Sequence, residues 1–178
     1  MKVESFVTRG VNENTSVQPY HIRTAGEEDI SHILEIENDA ISPPWTHGAL
    51  LNELYREDSF FAVAVDEDKQ PCKIRGFVIL RGVADEGELL QIAVEKPAQR
   101  RGIADGLLSA ALGFAEGHSL QSVYLEVRKS NEAAIALYKK HGFAPVRQRK
   151  DYYSSPVEDA IVMVKELWRE TRLAKAGD

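Results

Sequence analysis

The segment YLEVRKSNEAAIALYKKHGF, residues 124 to 143, has the pattern of a strand, a turn and a helix in succession. Asn131 is suited to cap the helix, and Gly142 is suited to end it. Two residues break the apolar pattern: Glu126 interrupts the strand, and Tyr138 lies on the apolar stripe of the helix. The strand and helix are consecutive, so both side chains have the spacing to face one cleft.

Two interpretations of these residues stand side by side. In the first, Glu126 and Tyr138 form an acid–base pair. In the second, Glu126 makes a salt bridge to Arg128 or elsewhere, and Tyr138 is a core residue with a hydrogen-bonded hydroxyl. Strand alternation places the polar residue Glu126 on the face opposite Val123, Leu125 and Val127. Spacing by itself favours the second interpretation.

A second informative segment is QIAVEKPAQRRGIADGLL, residues 91 to 108, which predicts a strand, a tight loop and a helix. A loop that enters a helix presents unpaired N–H groups and the positive end of the helix dipole. Gly102 permits close approach to the backbone, and Arg100 and Arg101 carry charge suited to a pyrophosphate. The loop matches neither the Walker nor the dinucleotide-binding pattern. It predicts anion binding, with an ordinary basic helix-capping loop as the alternative.

Composition places the chain among globular proteins. It has 178 residues, 43% hydrophobic and 28% charged, with a net charge of −6. One domain is expected over residues 19–170, with a tail at 171–178. Residues 1–18 are expected to form a flexible arm, with a short strand added at a sheet edge as the alternative. The acidic balance argues against a nucleic-acid partner; it suits a basic peptide, with plain solubility as the equal alternative.

Cysteine count and hydropathy restrict the setting. The single cysteine, Cys72, excludes a disulfide framework and a cysteine metal cluster, and no metal is expected. It falls in a predicted turn, where a catalytic thiol is not expected. No apolar run approaches the ~18 residues of a membrane span, and the first residues lack the apolar core of a signal peptide. These features predict a cytoplasmic protein with no membrane partner.

Along the chain, apolar periodicity predicts one strand, two helices, three strands, a helix, a strand, a helix and two strands. Thr46 is the expected cap of the second helix. The helix after Gly102 has apolar residues over more than half its circumference, which predicts deep burial. The order is a mixed α/β layout with a central strand–helix–strand–helix unit.

Three sequence words together resemble the GCN5-related N-acetyltransferase (GNAT) superfamily, and within it the bacterial ribosomal-protein-alanine N-acetyltransferases of the RimI type. They are IAVEKPAQRRGIADGLL, LEVRKSNEAAIALYKKHGF and RQRKDYYSSPVEDAIVM, and PPW at 43–45 fits the family's Pro-Trp before the second helix. The resemblance covers about residues 20–167. It implies an α/β (α+β) fold: a mixed, mostly antiparallel sheet of about seven strands, flanked by four helices, with splayed central parallel strands.

The resemblance also assigns roles by position. It implies acetyl-CoA as cosubstrate, Glu126 as proton acceptor and Tyr138 as proton donor. The cofactor contacts that it implies are Ile92, Ala93, Val94, Arg100, Arg101, Gly102, Ile103, Ala104, Asp105 and Asn131. Ala104 replaces the usual last glycine of the loop. Asp105 stands where a basic residue is common, which should weaken pyrophosphate binding unless the carboxylate points outward.

The implied reaction is direct transfer of the acetyl group from the thioester to an amine, most simply the N-terminal alanine of a ribosomal protein. Candidate acceptor contacts are Trp45, Tyr152, Tyr153 and Glu158. Trp45 also fits a core position, and adjacent tyrosines in a strand are expected on opposite faces. The expected assembly is a monomer or weak dimer. The rival interpretations are a related acetyltransferase for lysine, polyamine, amino acid or antibiotic amines, and a non-catalytic acetyl-CoA-binding module.

Overall fold

The computed structural model describes residues 8–9, 20–41, 43–66 and 73–167. The expectations for the turn that holds Cys72 and for the tail at 171–178 lie outside these residues, as does most of the predicted arm at 1–18.

The described residues form eight strands and four α-helices in the predicted order, with one short strand added at the start. The strands are β1 (Thr8–Arg9), β2 (Tyr20–Thr24), β3 (Ser59–Asp66), β4 (Ile74–Val83), β5 (Glu86–Val94), β6 (Ser122–Arg128), β7 (Ala144–Ser154) and β8 (Val157–Glu166). The helices are α1 (Ile30–Ala40), α2 (His47–Leu54), α3 (Ile103–Gly117) and α4 (Glu132–Lys140). Short 3-10 turns at Glu27–Asp29 and Lys96–Ala98 were not expected from the sequence.

The predicted helix caps are present. Thr46 accepts a hydrogen bond from the backbone N–H of Ala49 at 3.2 Å, and Asn131 accepts one from the N–H of Ala134 at 3.1 Å. Each side chain satisfies a donor that the first helical turn leaves unpaired. After α4, Gly142 has a φ of +86°, a conformation that glycine adopts without steric cost.

The strands hydrogen-bond in the order β1-β2-β3-β4-β5-β6-β8-β7. Antiparallel pairing joins β1 to β2, β2 to β3, β6 to β8 and β7 to β8, whereas β5 and β6 are parallel. In the parallel pair, Glu86–Leu89 of β5 align with Ser122–Leu125 of β6. The pairing ends there, although both strands continue beyond it. The mixed, mostly antiparallel sheet with four helices confirms the predicted fold class.

Contacts divide the chain into two compact units, and the first comprises Met1–Leu80 and Gln91–Ala111. Its core is apolar: Ile33, Leu50 and Phe77 have no exposed surface. A buried ionic group lies within it, where Arg75 donates hydrogen bonds to Asp66, one of them 2.7 Å long, and also pairs with Glu95. These charges are acceptable inside the unit because each has an opposite partner.

The second unit comprises Arg81–Leu90 and Leu112–Asp178. On β6 the predicted alternation is confirmed: Val123, Leu125 and Val127 are buried, and the residues between them are half-exposed. Tyr138 of α4 is buried beside Phe143, with ring centroids 5.8 Å apart. Strand β7 stands at the edge of the sheet and is exposed along nearly its whole length. Its pairing with β8 shifts register between Arg149 and Tyr153.

Candidate active site

Glu126 lies on the half-exposed face of β6 and is held by an arginine from another strand. Nη1 of Arg149 donates to Oε1 of Glu126 at 2.7 Å, and the two side chains are 42% and 22% exposed. The sequence predicted a salt bridge to Arg128 or elsewhere as one interpretation, and the partner is Arg149 of β7. The salt bridge does not exclude the acid–base interpretation of Glu126, because a paired carboxylate on a partly exposed face is still accessible to a ligand.

Tyr152 and Tyr153 gather around the same carboxylate. A hydrogen bond to Glu126 raises the pKa of the Tyr152 hydroxyl, while burial and then the charge of Glu126 raise the pKa of Tyr153. Their rings meet edge-on with centroids 5.1 Å apart. The expectation that adjacent tyrosines point to opposite faces is therefore wrong here, because the register shift of β7 interrupts the regular alternation.

Tyr138 completes this cluster from α4. Burial, and then the neighbouring Tyr153, raise the pKa of its hydroxyl well above the usual range. The hydroxyl therefore keeps its proton at neutral pH. Tyr153 interacts electrostatically with both Glu126 and Tyr138, so the structure brings the two predicted catalytic residues into one neighbourhood of the second unit.

The carboxylate of Glu158 is bonded to two other residues of the protein. Its carboxylate accepts a hydrogen bond from the backbone N–H of Ser130 at 2.6 Å and pairs with Arg128 at 3.3 Å. The Ser130 hydrogen bonds and then the Arg128 interactions hold the pKa of Glu158 below its usual range. Arg128 in turn lies over the ring of Tyr153, 4.1 Å from its centroid. Glu158 thus links the end of β6 to β8, and it holds Arg128, the residue that lies over the Tyr153 ring.

A cavity of about 480 Å³ opens beside Glu126, within the second unit. Residues of β4, β5, β6, β7 and β8 line it. Its charged lining comprises three carboxylates and three guanidinium groups, from Glu86, Glu88, Glu126, Arg81, Arg147 and Arg149. The cavity gives a small ligand or a chain end direct access to the Glu126 carboxylate.

The predicted anion-binding loop lies in the first unit and has a strained backbone. Arg100 has a φ of +65° and Gly102 has a φ of +80°, and both residues are exposed. The left-handed conformation explains why glycine is needed at 102. Arg101 is half-buried and lies 3.4 Å from Asp66, so it anchors the loop to β3. Burial opposes ionisation of Asp66, but hydrogen bonds and charge from Arg75, with Arg101, outweigh it and lower the pKa of this carboxyl.

Tyr20 fixes the same loop from β2. Its hydroxyl donates to the carbonyl of Gly102 at 2.9 Å, and burial followed by the charge of Asp105 raises its pKa. Asp105 is half-buried next to this tyrosine, and Ala104 is also half-buried at the first turn of α3. A Cβ atom at Gly106 would come within 2.7 Å of the Tyr20 hydroxyl, so glycine is required there by packing.

The other predicted cofactor contacts on β5 are Ile92, Ala93 and Val94, of which the last two are buried. The residue before them, Gln91, is buried and forms a hydrogen bond to the fully buried Glu37 of α1. Glu37 Oε2 accepts a hydrogen bond of 3.2 Å from the backbone N–H of Trp45. Trp45 is half-buried, so its side chain is neither a fully enclosed core residue nor fully exposed.

Sequence reasoning missed Arg149, Tyr20 and the Glu37–Gln91 pair. Arg149 lies on an exposed edge strand, where an arginine carries no signal of its own. Glu37 shares the helical spacing of the buried Ile30 and Ile33, and this position on the apolar face was a readable signal.

None of the described helices is long and apolar enough to cross a membrane. Within the described ranges, no three His, Cys, Asp or Glu side chains are grouped so as to hold a metal ion.

Residues 30–143 match the sequence profile of the Acetyltransferase (GNAT) family. The chain belongs to the GNAT family. The resemblance predicted from its sequence words is therefore confirmed, and this GNAT protein is an acetyl-CoA-dependent N-acetyltransferase. Acetyl-CoA is its cosubstrate.

Several curated GNAT relatives carry one name, ribosomal protein bS18-alanine N-acetyltransferase. The protein of Haemophilus influenzae is 36% identical over 138 residues, which cover 76% of this chain and 90% of that protein. The protein of Escherichia coli K12 is 34% identical over 137 residues, covering 76% and 89%. The crystal structure of the ribosomal-protein-S18-alanine N-acetyltransferase from Escherichia coli superposes with a TM-score of 0.75 at 31% identity, covering 83% of this chain and 94% of that one. Arabidopsis thaliana NAA60 in complex with acetyl-CoA shares the fold, with a TM-score of 0.75, 21% identity and coverage of 83% and 98%.

Proposed function

We propose that this GNAT enzyme acetylates the N-terminal alanine of a small-subunit ribosomal protein, with Glu126 as general base and Tyr138 as general acid. The observation that carries the acceptor class is the shared name of relatives 33–36% identical over about three quarters of the chain. Two observations support the residue roles: Glu126 lines an open cavity, and Tyr153 interacts electrostatically with both Glu126 and Tyr138.

A terminal α-amine suits a single carboxylate base. Its pKa near 7.7–8.0 means that only a modest penalty attaches to removing its proton at pH 7, whereas a lysine amine, near 10.4, begins two to three units higher. Glu126 faces a cavity that an extended chain end can enter, and it can take the proton directly or through one water. Tyr138 keeps its proton at neutral pH and can donate it to the departing thiolate.

Acetyl-CoA would be contacted in the first unit by Ile92–Val94 and by the loop from Arg100 to Asp105. The loop fits a pyrophosphate: Gly102 is exposed in a left-handed conformation just before the 15-residue helix α3, and Arg100 is exposed beside it. Arg101, by contrast, has its guanidinium close to Asp66, so its proposed share of the binding is to hold the loop in shape. Asn131 keeps its proposed cofactor contact in addition to its role as helix cap.

A peptide that begins Ala-Arg tests this assignment against the rival acceptors. Thiol release from acetyl-CoA is compared for this peptide, for the same peptide with a blocked N-terminus and an internal lysine, and for spermidine. The proposal predicts that only the free N-terminus supports rapid release. A higher kcat/KM for the lysine peptide or the polyamine would move the chain to the rival acetyltransferase class, and no release with any amine would favour the non-catalytic module.

A further inference from the structure

We propose that Arg149 is a positioning residue that occupies the Glu126 carboxylate until an acceptor amine replaces it, and thereby suppresses hydrolysis of acetyl-CoA. This inference rests on the proposed role of Glu126 as general base. It adds a role for a side chain on β7 that faces the base and does not itself transfer a proton.

The Glu126 carboxylate is accessible to water, and it is also hydrogen-bonded to other side chains. Glu126 lines a cavity of about 480 Å³, so solvent reaches its carboxylate. The Arg149 guanidinium donates to Oε1 at 2.7 Å, and Tyr152 adds a second hydrogen bond. Both partners come from β7: Arg149 is the last paired residue before the register shift, and Tyr152 lies within the shift. The guanidinium carbon of Arg149 lies 5.3 Å from the centroid of the Tyr152 ring. The carboxylate therefore has fewer lone pairs with which to take a proton from water.

An acceptor amine can displace Arg149 where water cannot. At pH 7 an α-amine is mostly protonated, so it brings a positive charge to Glu126 in exchange for the guanidinium that leaves. Water brings no charge, and its entry would leave the carboxylate without a cation. Arg149 is 42% exposed on an edge strand, and its long side chain has open solvent to move into. The exchange thus favours cationic acceptors.

The side reaction that Arg149 would suppress is ordinary thioester hydrolysis. The oxygen of water attacks the carbonyl carbon, the C–S bond breaks, and acetate and the CoA thiol are formed. One proton of the water passes through Glu126 to solvent, and the thiolate takes a proton to become the thiol. No oxidant, reductant or further reactant is needed.

The experiment measures thiol release from acetyl-CoA in the absence of any acceptor. Arg149→Met is expected to raise this release about tenfold or more, since an unoccupied general base contributes roughly 10²-fold or more to such a step. Arg149→Lys, which keeps the cation, is expected to restore the low rate. Lys150→Met removes the same charge from the next residue of β7 and is the matched control, with no change expected. The double variant Glu126→Gln/Arg149→Met is expected to return to the background rate.

The outcomes separate this inference from the proposed function. An unchanged hydrolysis rate in Arg149→Met and in Arg149→Gln, with both variants folded by circular dichroism, overturns the inference. A raised KM for the Ala-Arg peptide with unchanged hydrolysis also overturns it, because Arg149 would then only bind the acceptor. A rise that persists in the double variant shows that Glu126 does not activate the water. Full peptide acetylation by Glu126→Gln alone would instead overturn the proposed function.

Discussion

Replacing Tyr138 with phenylalanine removes one buried hydroxyl and leaves the ring that packs at 5.8 Å against Phe143. A tyrosine hydroxyl is protonated at neutral pH, which is the state that a general acid requires, and burial raises the pKa of this one further. We expect kcat for acetyl transfer to fall about 10²-fold, equivalent to about 2.7 kcal/mol of transition-state stabilisation. Because the loop proposed to bind acetyl-CoA lies in the first unit and is untouched, the Kd for acetyl-CoA is expected to stay within about threefold of wild type.

The assay uses two acetyl thioesters whose leaving thiols differ in acidity. With acetyl-CoA, an alkyl thiol leaves and needs a proton; with an aryl thioacetate, the thiolate is stable without one. The ratio of wild-type to Tyr138→Phe rates is therefore expected to shrink towards one with the aryl donor. Equal deficits with both donors would refute the general-acid role, and so would wild-type turnover of acetyl-CoA by the variant.

Three further substitutions test individual contacts. Burial raises the pKa of Glu37, so the folded chain holds the proton of this carboxyl more tightly than the unfolded chain does. The resulting contribution to the free energy of unfolding is fully present below about pH 4 and is lost as the pH rises through the folded-state pKa of Glu37. The wild-type Tm should therefore fall relative to Glu37→Gln as pH rises from about 5 to about 8, and Glu35→Gln, at an exposed position of the same helix, is the control substitution. Asp66→Asn should cost about 1–3 kcal/mol in urea unfolding, because it removes one of the two carboxylates that pair with the buried Arg75 and leaves only Glu95. Asn131→Ala should lower the free energy of unfolding by about 1 kcal/mol because the helix cap is lost, whereas Asn131→Ser keeps the cap. Weaker binding of acetyl-CoA by both variants would indicate that Asn131 also contacts the cofactor.

The elements and their faces could be predicted because their signals are local. The alternation of β6 placed Glu126 opposite the buried Val123 and Leu125, and the helical stripe of α4 placed Tyr138 in the core. Caps and stops at Thr46 and Gly142 followed from side-chain chemistry within one helical turn. Each of these patterns repeats over a few residues, so it survives without knowledge of the tertiary structure.

The contacts that shape the site were not predictable because they are non-local. The register shift of β7 after Arg149 brings Tyr152 and Tyr153 together near Glu126, and no residue pattern predicts this shift. The contact of Arg149 with Glu126 depends on the order of β6, β8 and β7 in the sheet. The Tyr20 hydroxyl meets the carbonyl of Gly102 across 82 positions of sequence. Pairing of this kind depends on how strands are ordered in the sheet.

The most direct test of the account is the steady-state acetylation of an Ala-Arg peptide by wild type and Glu126→Gln, with product identified by mass and acetyl-CoA binding measured in parallel. We expect acetylation at the N-terminal nitrogen, a fall in kcat/KM of about 10²-fold in the variant, and nearly unchanged acetyl-CoA affinity. Acetylation of the peptide by Glu126→Gln at the wild-type rate would contradict it.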